Sequence, residues 1–513
     1  MRSMSRFAKL VLNIGSNYAA TVVQGAIFVL LTPFVVGTLG PMAYGVWVLI
    51  RAVDFYLSYF DLGLSDALQK YVAEYDGRDD ARGMERLVGT ALVAQMALGL
   101  AAAAVALVGA TLPTAGWFEI PAELAGDFAV LWVLTAAVQV LRFPARVLTG
   151  VYVGLQRFDV ANAVDVGLGV ARALGTVALL ATGRGLIALA WLELGLAAAS
   201  LALNGLLVGR LFPDLRARVA APRFDTEMWQ RLRAFGLWSF LDDLVTEGSA
   251  QLDRLFVPLL FSVALLAPYS LTVSLAAIVL VVSTPIADVF LPLSSELDAR
   301  RDRARLARLA IEGLRACVGV AAPVAAMVAA LGSAVLALWV PIDYSEISPL
   351  VLPILVTNLF FSALFWPATA LLLGLGRARA VFWYSVIEVG AIAVGVVALA
   401  PFFGLTGCVV GMTVANLAAG FGLTLPAAAR AVGLTLLGLL RRALVRPLLA
   451  CVPGVAVAAS IASLGSPASV VELALAAGAI GAVHGLSFAF LGYSADERRA
   501  YFAQIRTAAG LSA

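Results

Sequence analysis

Residues 87–111 read LVGTALVAQMALGLAAAAVALVGAT, twenty-five positions with no charge and a single Gln. At about 1.5 Å of rise per residue, a helix of that length covers the ~30 Å hydrocarbon layer of a bilayer. The rest of the chain repeats the pattern. Comparable windows fall at 11–36, 42–64, 124–153, 160–182, 186–209, 235–261, 265–292, 309–340, 348–373, 380–402, 404–429, 443–464 and 470–493. The runs are too long and continuous for barrel strands, so they are read as helices. Composition agrees. The 513 residues are 62% apolar and 13% charged, against about 45–50% and about 25% in soluble domains. The expectation is an all-α polytopic membrane protein of about fourteen transmembrane helices. Pro33, Pro144, Pro258, Pro285, Pro323 and Pro367 predict kinks inside several of them.

Charge orients the spans. With the N-terminus inside, the inward loops collect 29 of the 35 basic residues: all except Arg184 and the five within spans (Arg51, Arg142, Arg146, Arg172, Arg254). The outward loops hold Glu119, Glu123, Asp127, Asp343 and Glu346. This asymmetry puts both termini in the cytoplasm. The basic N-terminal Arg2, Arg6 and Lys9 resemble a signal peptide. The apolar run after them reaches about Val36, too long for an h-region, and reads as an uncleaved first span. A net charge of +3 gives no case for nucleic acid. Cys317, Cys408 and Cys451 lie far apart in apolar runs, and His484 is the only histidine. Neither a disulfide framework nor a metal site follows, and His484 reads as packing.

The two halves echo one another. Pro33 is followed eleven residues later by Tyr44, and Pro258 eleven later by Tyr269, an offset of 225 (258 less 33). Gly154-Leu155-Gln156-Arg157 and Gly374-Leu375-Gly376-Arg377 stand 220 apart. The expected organisation is an N-lobe of six spans (1–210), a cytoplasmic linker (211–234) and a C-lobe of six spans (235–430). An extra helix pair (431–493) and a cytoplasmic tail (494–513) follow. Two lobes running in the same sense are related by a pseudo-twofold axis along the membrane normal.

Polar residues inside the spans point to a site. A charge at mid-span costs about 2.5–3.5 kcal/mol, so such residues face protein or water. In the first span Asn13, Asn17, Thr21, Gln24 and Phe28 share a face; in the second, Tyr44, Trp47, Arg51, Asp54, Ser58, Asp61 and Ser65 do. The fourth carries Thr135, Gln139, Arg142, Arg146 and Thr149; the fifth, Asp165, Arg172 and Thr176. In the seventh, Asp243, Glu247 and Arg254 align, with Asp242 and Asp253 nearby. A wet cavity is expected, with a basic wall from the first six spans, where Arg51, Arg142, Arg146 and Arg172 face Asp54, Asp61, Asp165 and Glu193, and an acidic wall from Asp242, Asp243, Glu247, Asp253, Asp288 and Glu388. Guanidinium forks suit phosphate oxygens, and carboxylates can carry H⁺ or Na⁺. The bland alternative is that pairs such as Arg51 with Asp54, or Asp165 with Arg172, only hold helices together.

The stretch Leu31-Thr-Pro-Phe-Val-Val-Gly-Thr-Leu-Gly-Pro-Met-Ala-Tyr-Gly-Val-Trp47 resembles the start of bacterial polysaccharide-biosynthesis membrane proteins. So do Tyr59-Phe-Asp-Leu-Gly-Leu64, Lys70-Tyr-Val-Ala-Glu74 and Gly154-Leu-Gln-Arg-Phe158. These are the O-antigen and exopolysaccharide flippases of the multidrug/oligosaccharidyl-lipid/polysaccharide exporter superfamily. The resemblance implies a transporter, not an enzyme, that moves undecaprenyl-pyrophosphate-linked oligosaccharide to the periplasmic leaflet. It implies partners among lipid-linked oligosaccharide, membrane lipids and glycan-assembly proteins such as a polymerase, and no cofactor beyond an optional coupling ion. Candidate headgroup contacts are Arg51, Arg142, Arg146, Arg172 and Arg254, with Gln24 and Trp47. Candidate ion-coupling residues are Asp54, Asp243 and Glu247. A fourteen-span count is shared with lipid II flippases, which makes that function one alternative. A cation-coupled multidrug exporter is the other.

Overall fold

The computed structural model describes residues 6–155, 157–213, 222–249, 252–345, 347, 349–465, 467–493 and 497–499. The side chains of Asn13, Asn17, Thr21, Asp242, Asp243, Glu247 and Asp288 lie outside the described residues. Among the described residues every regular element is helical. Eleven stretches among the described residues are long and apolar enough to cross a membrane, and the chain is an all-α, multi-pass membrane protein. Three features separate this number from the fourteen windows. Residues 380–402 and 404–429 form one unbroken run, bent where Gly404 leaves helical geometry at φ 58°, ψ −142°. Pro41–Leu57 is a 17-residue helix, short for a span. The 235–261 window is divided between Thr226–Ser249 and Asp253–Leu260.

The chain forms two compact units, Met1–Ala267 and Pro268–Ala513. Thr226–Ser249 and Asp253–Leu260 belong to the first of these units. The longer helices of the first unit are α1 (Arg6–Leu39), α2 (Pro41–Leu57), α3 (Leu64–Gly77), α4 (Ala81–Thr111), α5 (Ala122–Gly154), α6 (Phe158–Ala181), α7 (Leu186–Leu211) and α8 (Thr226–Ser249). α5 is the axis of this unit. It packs against α4, α7, α3 and α2, while α1 lies along α6. One apolar cluster joins Val46, Leu49 and Ile50 of α2 to Phe128, Leu131 and Trp132 of α5. A second joins Leu68 and Val72 of α3 to Val147, Leu148 and Tyr152 further along α5. Residues 65–77, expected as loop, thus form a packed amphipathic helix.

The corner between α2 and α3 positions the polar residues. α2 tightens into a 3₁₀ turn over Ser58–Asp61, and the chain then reverses through Leu62 (φ 52°) and Gly63 (φ 68°). A side chain at Gly63 would meet both a disfavoured φ and the Gly236 carbonyl of α8. Asp61, just ahead of this corner, accepts the Ser65 N–H (3.1 Å) and the Ser65 hydroxyl (3.0 Å), which caps the start of α3.

In the second unit Arg303–Trp339 packs against Val351–Gly374 and Leu436–Leu464, and Val470–Leu491 adds to that face. The core is apolar, with Leu314, Val318, Leu364, Phe365, Leu371, Leu425 and Leu439. His484 stacks on Phe488 and sits 3.1 Å from the Gly319 carbonyl, a packing role as expected from sequence.

Local devices recur between the units. Asp79 (φ 53°) precedes Asp80, whose carboxylate accepts the Gly83 N–H at 2.9 Å. Arg301 (φ 55°) precedes Asp302, which accepts the Arg305 N–H at 3.0 Å. The two caps are 222 residues apart (302 less 80). The helix ends at Gly154 and Gly374 close alike, with Arg157 N–H donating to Tyr152 and Arg377 N–H to Leu372.

Candidate functional site

The polar residues of α2, α5 and α7 converge inside the first unit. Asp54 is 6% exposed and is held from three sides. Arg142 Nη1 lies 2.7 and 2.8 Å from its two carboxylate oxygens. Gln139 Nε2 donates to it at 2.8 Å, and Arg51 Nη1 stands 3.2 Å away. Arg51 also reaches Glu193 of α7 at 3.7 Å. Glu193 in turn accepts from Arg172 Nε at 2.7 Å and Nη2 at 3.4 Å. The result is a relay from α5 through α2 and α7 to α6: Arg142, Asp54, Arg51, Glu193, Arg172.

One turn further along α5, Arg146 donates to the Ser58 carbonyl at 2.9 Å and lies over the Phe143 ring. Pro144, between the two arginines, contributes no N–H to the helix ladder. Asp61 repeats the Asp54 arrangement two turns along the chain. Its carboxylate is buried and accepts from Gln95 of α4, as Asp54 accepts from Gln139. The outer oxygens Oε1 of both glutamines are buried with no hydrogen-bond partner.

Two cavities open on this seam. A small one, about 20 Å³, is lined by Trp47, Arg51, Asp54, Thr135, Arg142 and Glu193 among others. That is room for about one water molecule. The larger, about 320 Å³, is lined by Asp61, Ser65, Gln69, Arg142, Ala145, Arg146, Thr149, Gly150 and Ser200. A volume near 300 Å³ is the lower end for small-molecule pockets. Arg142 lines both cavities. Four guanidiniums (Arg51, Arg142, Arg146, Arg172) face three buried carboxylates (Asp54, Asp61, Glu193), so the seam carries a net positive charge.

Of the residues singled out from sequence, Arg51, Trp47, Asp54, Arg142, Arg146 and Arg172 come together here. Gln24 does not; its amide donates to the Asp165 carbonyl at 3.3 Å between α1 and α6. Arg254 stands apart from the relay, at the start of its helix, where its own N–H is accepted by Asp253 at 2.8 Å. Asp243 and Glu247 lie outside the described side chains. Arg172 pairs with Glu193, not Asp165, because α7 and not α6 supplies the carboxylate within reach. Sequence reasoning counted Glu193 among the buried acids facing the arginines but not as the hub between Arg51 and Arg172, and it missed Gln95 as the amide behind Asp61. Each is an isolated polar position in an apolar window. Its only signal was that a buried carboxylate or amide needs a partner on another helix.

The profile of the family described as "Polysaccharide biosynthesis protein" matches residues 38–349. No curated protein matches. Among solved structures, the lipid II flippase MurJ in an inward closed conformation superposes with a TM-score of 0.68 at 12% identity, covering 93% of this chain and 98% of that one. An inward-facing multidrug resistance MATE family transporter of the MOP superfamily gives 0.67 at 16% identity, over 80% and 94%. A MOP superfamily transporter from Pyrococcus furiosus, described as having a binding pocket of reverse polarity, gives 0.54 at 14%, over 83% and 94%. At such identities the likeness is one of fold.

Proposed function

The chain belongs to the polysaccharide biosynthesis protein family, and from that premise we propose that it is a flippase. It carries polyprenyl-pyrophosphate-linked oligosaccharide across the bacterial inner membrane by alternating access, for surface polysaccharide assembly. It is a transporter-class protein and not an enzyme. In this reading the chain crosses the membrane fourteen times with both termini in the cytoplasm. The two six-helix lobes descend from a duplication, and the paired Asp80 and Asp302 caps support that descent.

The observation that carries the reading is the larger cavity. Two guanidiniums, Arg142 and Arg146, share its wall with the hydroxyls of Ser65, Thr149 and Ser200 and the amide of Gln69. Arginine forks match phosphate oxygens, and hydroxyls and amides match a sugar. Each unpaired sugar hydroxyl would cost several kcal/mol in hydrocarbon, so a polar passage removes the main barrier while the polyprenyl tail stays in lipid. A negative-inside potential favours outward movement of the pyrophosphate by about 2.3 kcal/mol per charge per 100 mV. The net positive seam argues against a carrier of lipophilic cations. A lipid II flippase shares the headgroup chemistry and differs in being required for growth.

Arg146→Ala is expected to abolish surface polysaccharide at normal protein level, with lipid-linked oligosaccharide accumulating on the cytoplasmic leaflet. Wild-type glycan output from this variant would remove Arg146 from the site. Loss of viability, rather than of glycan, on depletion of the wild-type protein would favour the lipid II reading.

A further inference from the structure

The relay contains an asymmetry that the flippase reading does not require. Arg142 touches the larger cavity but gives its Nη1 to Asp54, which lies outside that cavity. Among the described residues its Nε and Nη2 have no hydrogen-bond acceptor. Arg146 has no carboxylate within ion-pair distance among the described residues, only the Ser58 carbonyl. The two guanidiniums are therefore in different states. One is paired directly with an internal carboxylate; the other is bonded to a backbone carbonyl, with the Asp61 carboxylate on the same cavity wall but beyond ion-pair distance.

Asp54 is also over-provided. Removing one partner of a buried ion pair normally leaves an uncompensated charge. Here Gln139 at 2.8 Å and Arg51 at 3.2 Å stay on the carboxylate if Arg142 leaves. Gln139 is 0% exposed, so no water replaces it. Arg51 is steadied in turn by Glu193. The network is arranged so that Arg142 can let go without orphaning Asp54.

We propose that Asp54 is a built-in competitor for the pyrophosphate group: it holds Arg142 while the cavity is empty and yields it when a phosphate-bearing headgroup enters. Arg146 makes the first contact, and Arg142 follows by exchanging the carboxylate for a phosphate oxygen. This exchange sets a threshold of charge. A singly charged headgroup gains little over Asp54, whereas a pyrophosphate offers both arginines oxygen atoms at once. The same competition restores the empty state, because Asp54 reclaims Arg142 as the headgroup leaves. Asp54 is thus a specificity-determining residue, and Gln139 is a positioning residue behind it. The inference rests on the flippase reading for the identity of the anion.

The test uses full-length protein in nanodiscs, with three probes: inorganic phosphate, inorganic pyrophosphate and a polyprenyl pyrophosphate in the bilayer. Asp54→Asn removes the competitor and keeps an acceptor for Gln139. It is expected to tighten pyrophosphate binding roughly tenfold or more, narrow the preference for pyrophosphate over phosphate, and slow turnover in reconstituted vesicles. Damage to the fold would weaken binding, so tightening cannot come from a merely structural role. Tightening for the polyprenyl probe alone would assign the exchange to the lipid headgroup; tightening for both would assign it to the pyrophosphate group itself.

Equal or weaker binding in Asp54→Asn, while Arg146→Ala loses binding, would overturn the competitor and leave the flippase reading standing. No binding of any probe by wild type or Asp54→Asn would end the flippase reading and this inference together. If Asp54→Asn does not fold, Gln139→Leu reads the same exchange in the other direction. With one support gone, Asp54 holds Arg142 harder, and pyrophosphate affinity drops several-fold. Unchanged affinity there would equally overturn the proposal.

Discussion

The two units bury their polar groups differently. In the first, the buried polar side chains include the carboxylates of Asp54, Asp61, Glu193 and Asp253 and the amides of Gln95, Gln139 and Asn204. In the second, those among the described residues are neutral: Ser270, Thr272, Ser283, Ser294, Thr413, Asn416 and His484. Most of the latter satisfy themselves locally, as Thr413 does on the Val409 carbonyl at 2.7 Å and Ser294 on the Phe290 carbonyl at 2.7 Å. The charged residues of the first unit reach across helices instead. A hydroxyl returning to its own helix asks nothing of the tertiary structure. A buried carboxylate requires cations or hydrogen-bond donors from other elements, and here four helices supply the relay. The first unit therefore carries the buried charged network, whereas the fully buried interior of the second, where described, is uncharged and a cross-helix ion pair there, Arg315 with Glu497 at 2.7 Å, is partly exposed.

The comparison can be broken most directly at Asp54. Asp54→Ala strands Arg142 and Gln139 together, and a loss of about 3–5 kcal/mol in stability is expected from thermal melting of the purified protein. Arg142→Ala leaves Asp54 with two donors and is expected to cost less, about 1–3 kcal/mol. Equal losses for the two would contradict the over-provision of Asp54. In the second unit, Asn416 donates to the Asn358 side chain at 2.7 Å, the Asn358 carbonyl at 3.1 Å and Ser362 at 2.7 Å. Asn416→Leu should cost about 1–3 kcal/mol and retain headgroup binding, measured by the same nanodisc titration. Loss of binding there would show that the second unit takes part in the site's electrostatics.

The smallest effect is expected at the surface of the first unit. Arg86 Nε donates to Asp225 at 2.7 Å and Nη2 to Glu227 at 3.1 Å. The hydrogen bond from Arg86 holds the Asp225 carboxyl below its usual range. A lowered carboxylate pKa stabilises the fold above the unfolded value, about 3.9, and that contribution disappears as pH falls through the folded one. Because the pair is exposed to solvent, Asp225→Asn should cost no more than ~1 kcal/mol at pH 7. The difference from wild type in melting temperature should shrink below about pH 4. A difference that persists at pH 3 would mean that the carboxylate's charge is not what matters.

The membrane class was legible in residues 87–111 alone, because hydrocarbon thickness and helical rise leave little choice. The convergence of Arg51, Asp54, Arg142 and Arg146 was legible too, since the spacing of α2 and α5 puts each pair on one face. What escaped was the choice among equivalent partners. Arg172 has Asp165 on its own helix, two turns away, yet takes Glu193 from α7. Periodicity ranks residues within a helix but not the rotation of one helix against the next. The α2–α3 corner was hidden for another reason. Leu62 and Gly63 turn the chain within an apolar stretch that reads as continuous span, and Leu62 carries no turn signature.

At the crossing of Gly63 and Gly236, main chain meets main chain with no room for a methyl group on either partner. Ordinary helix contacts are geared: side-chain teeth must climb over one another before the surfaces can shift. A toothless crossing has no such ratchet, and α8 lies backbone to backbone on the corner carrying Asp61. Even alanine at Gly236 would press its methyl group on the Leu62 and Gly63 carbonyls, so that substitution reads how much the protein depends on the close fit, free of the φ constraint at Gly63.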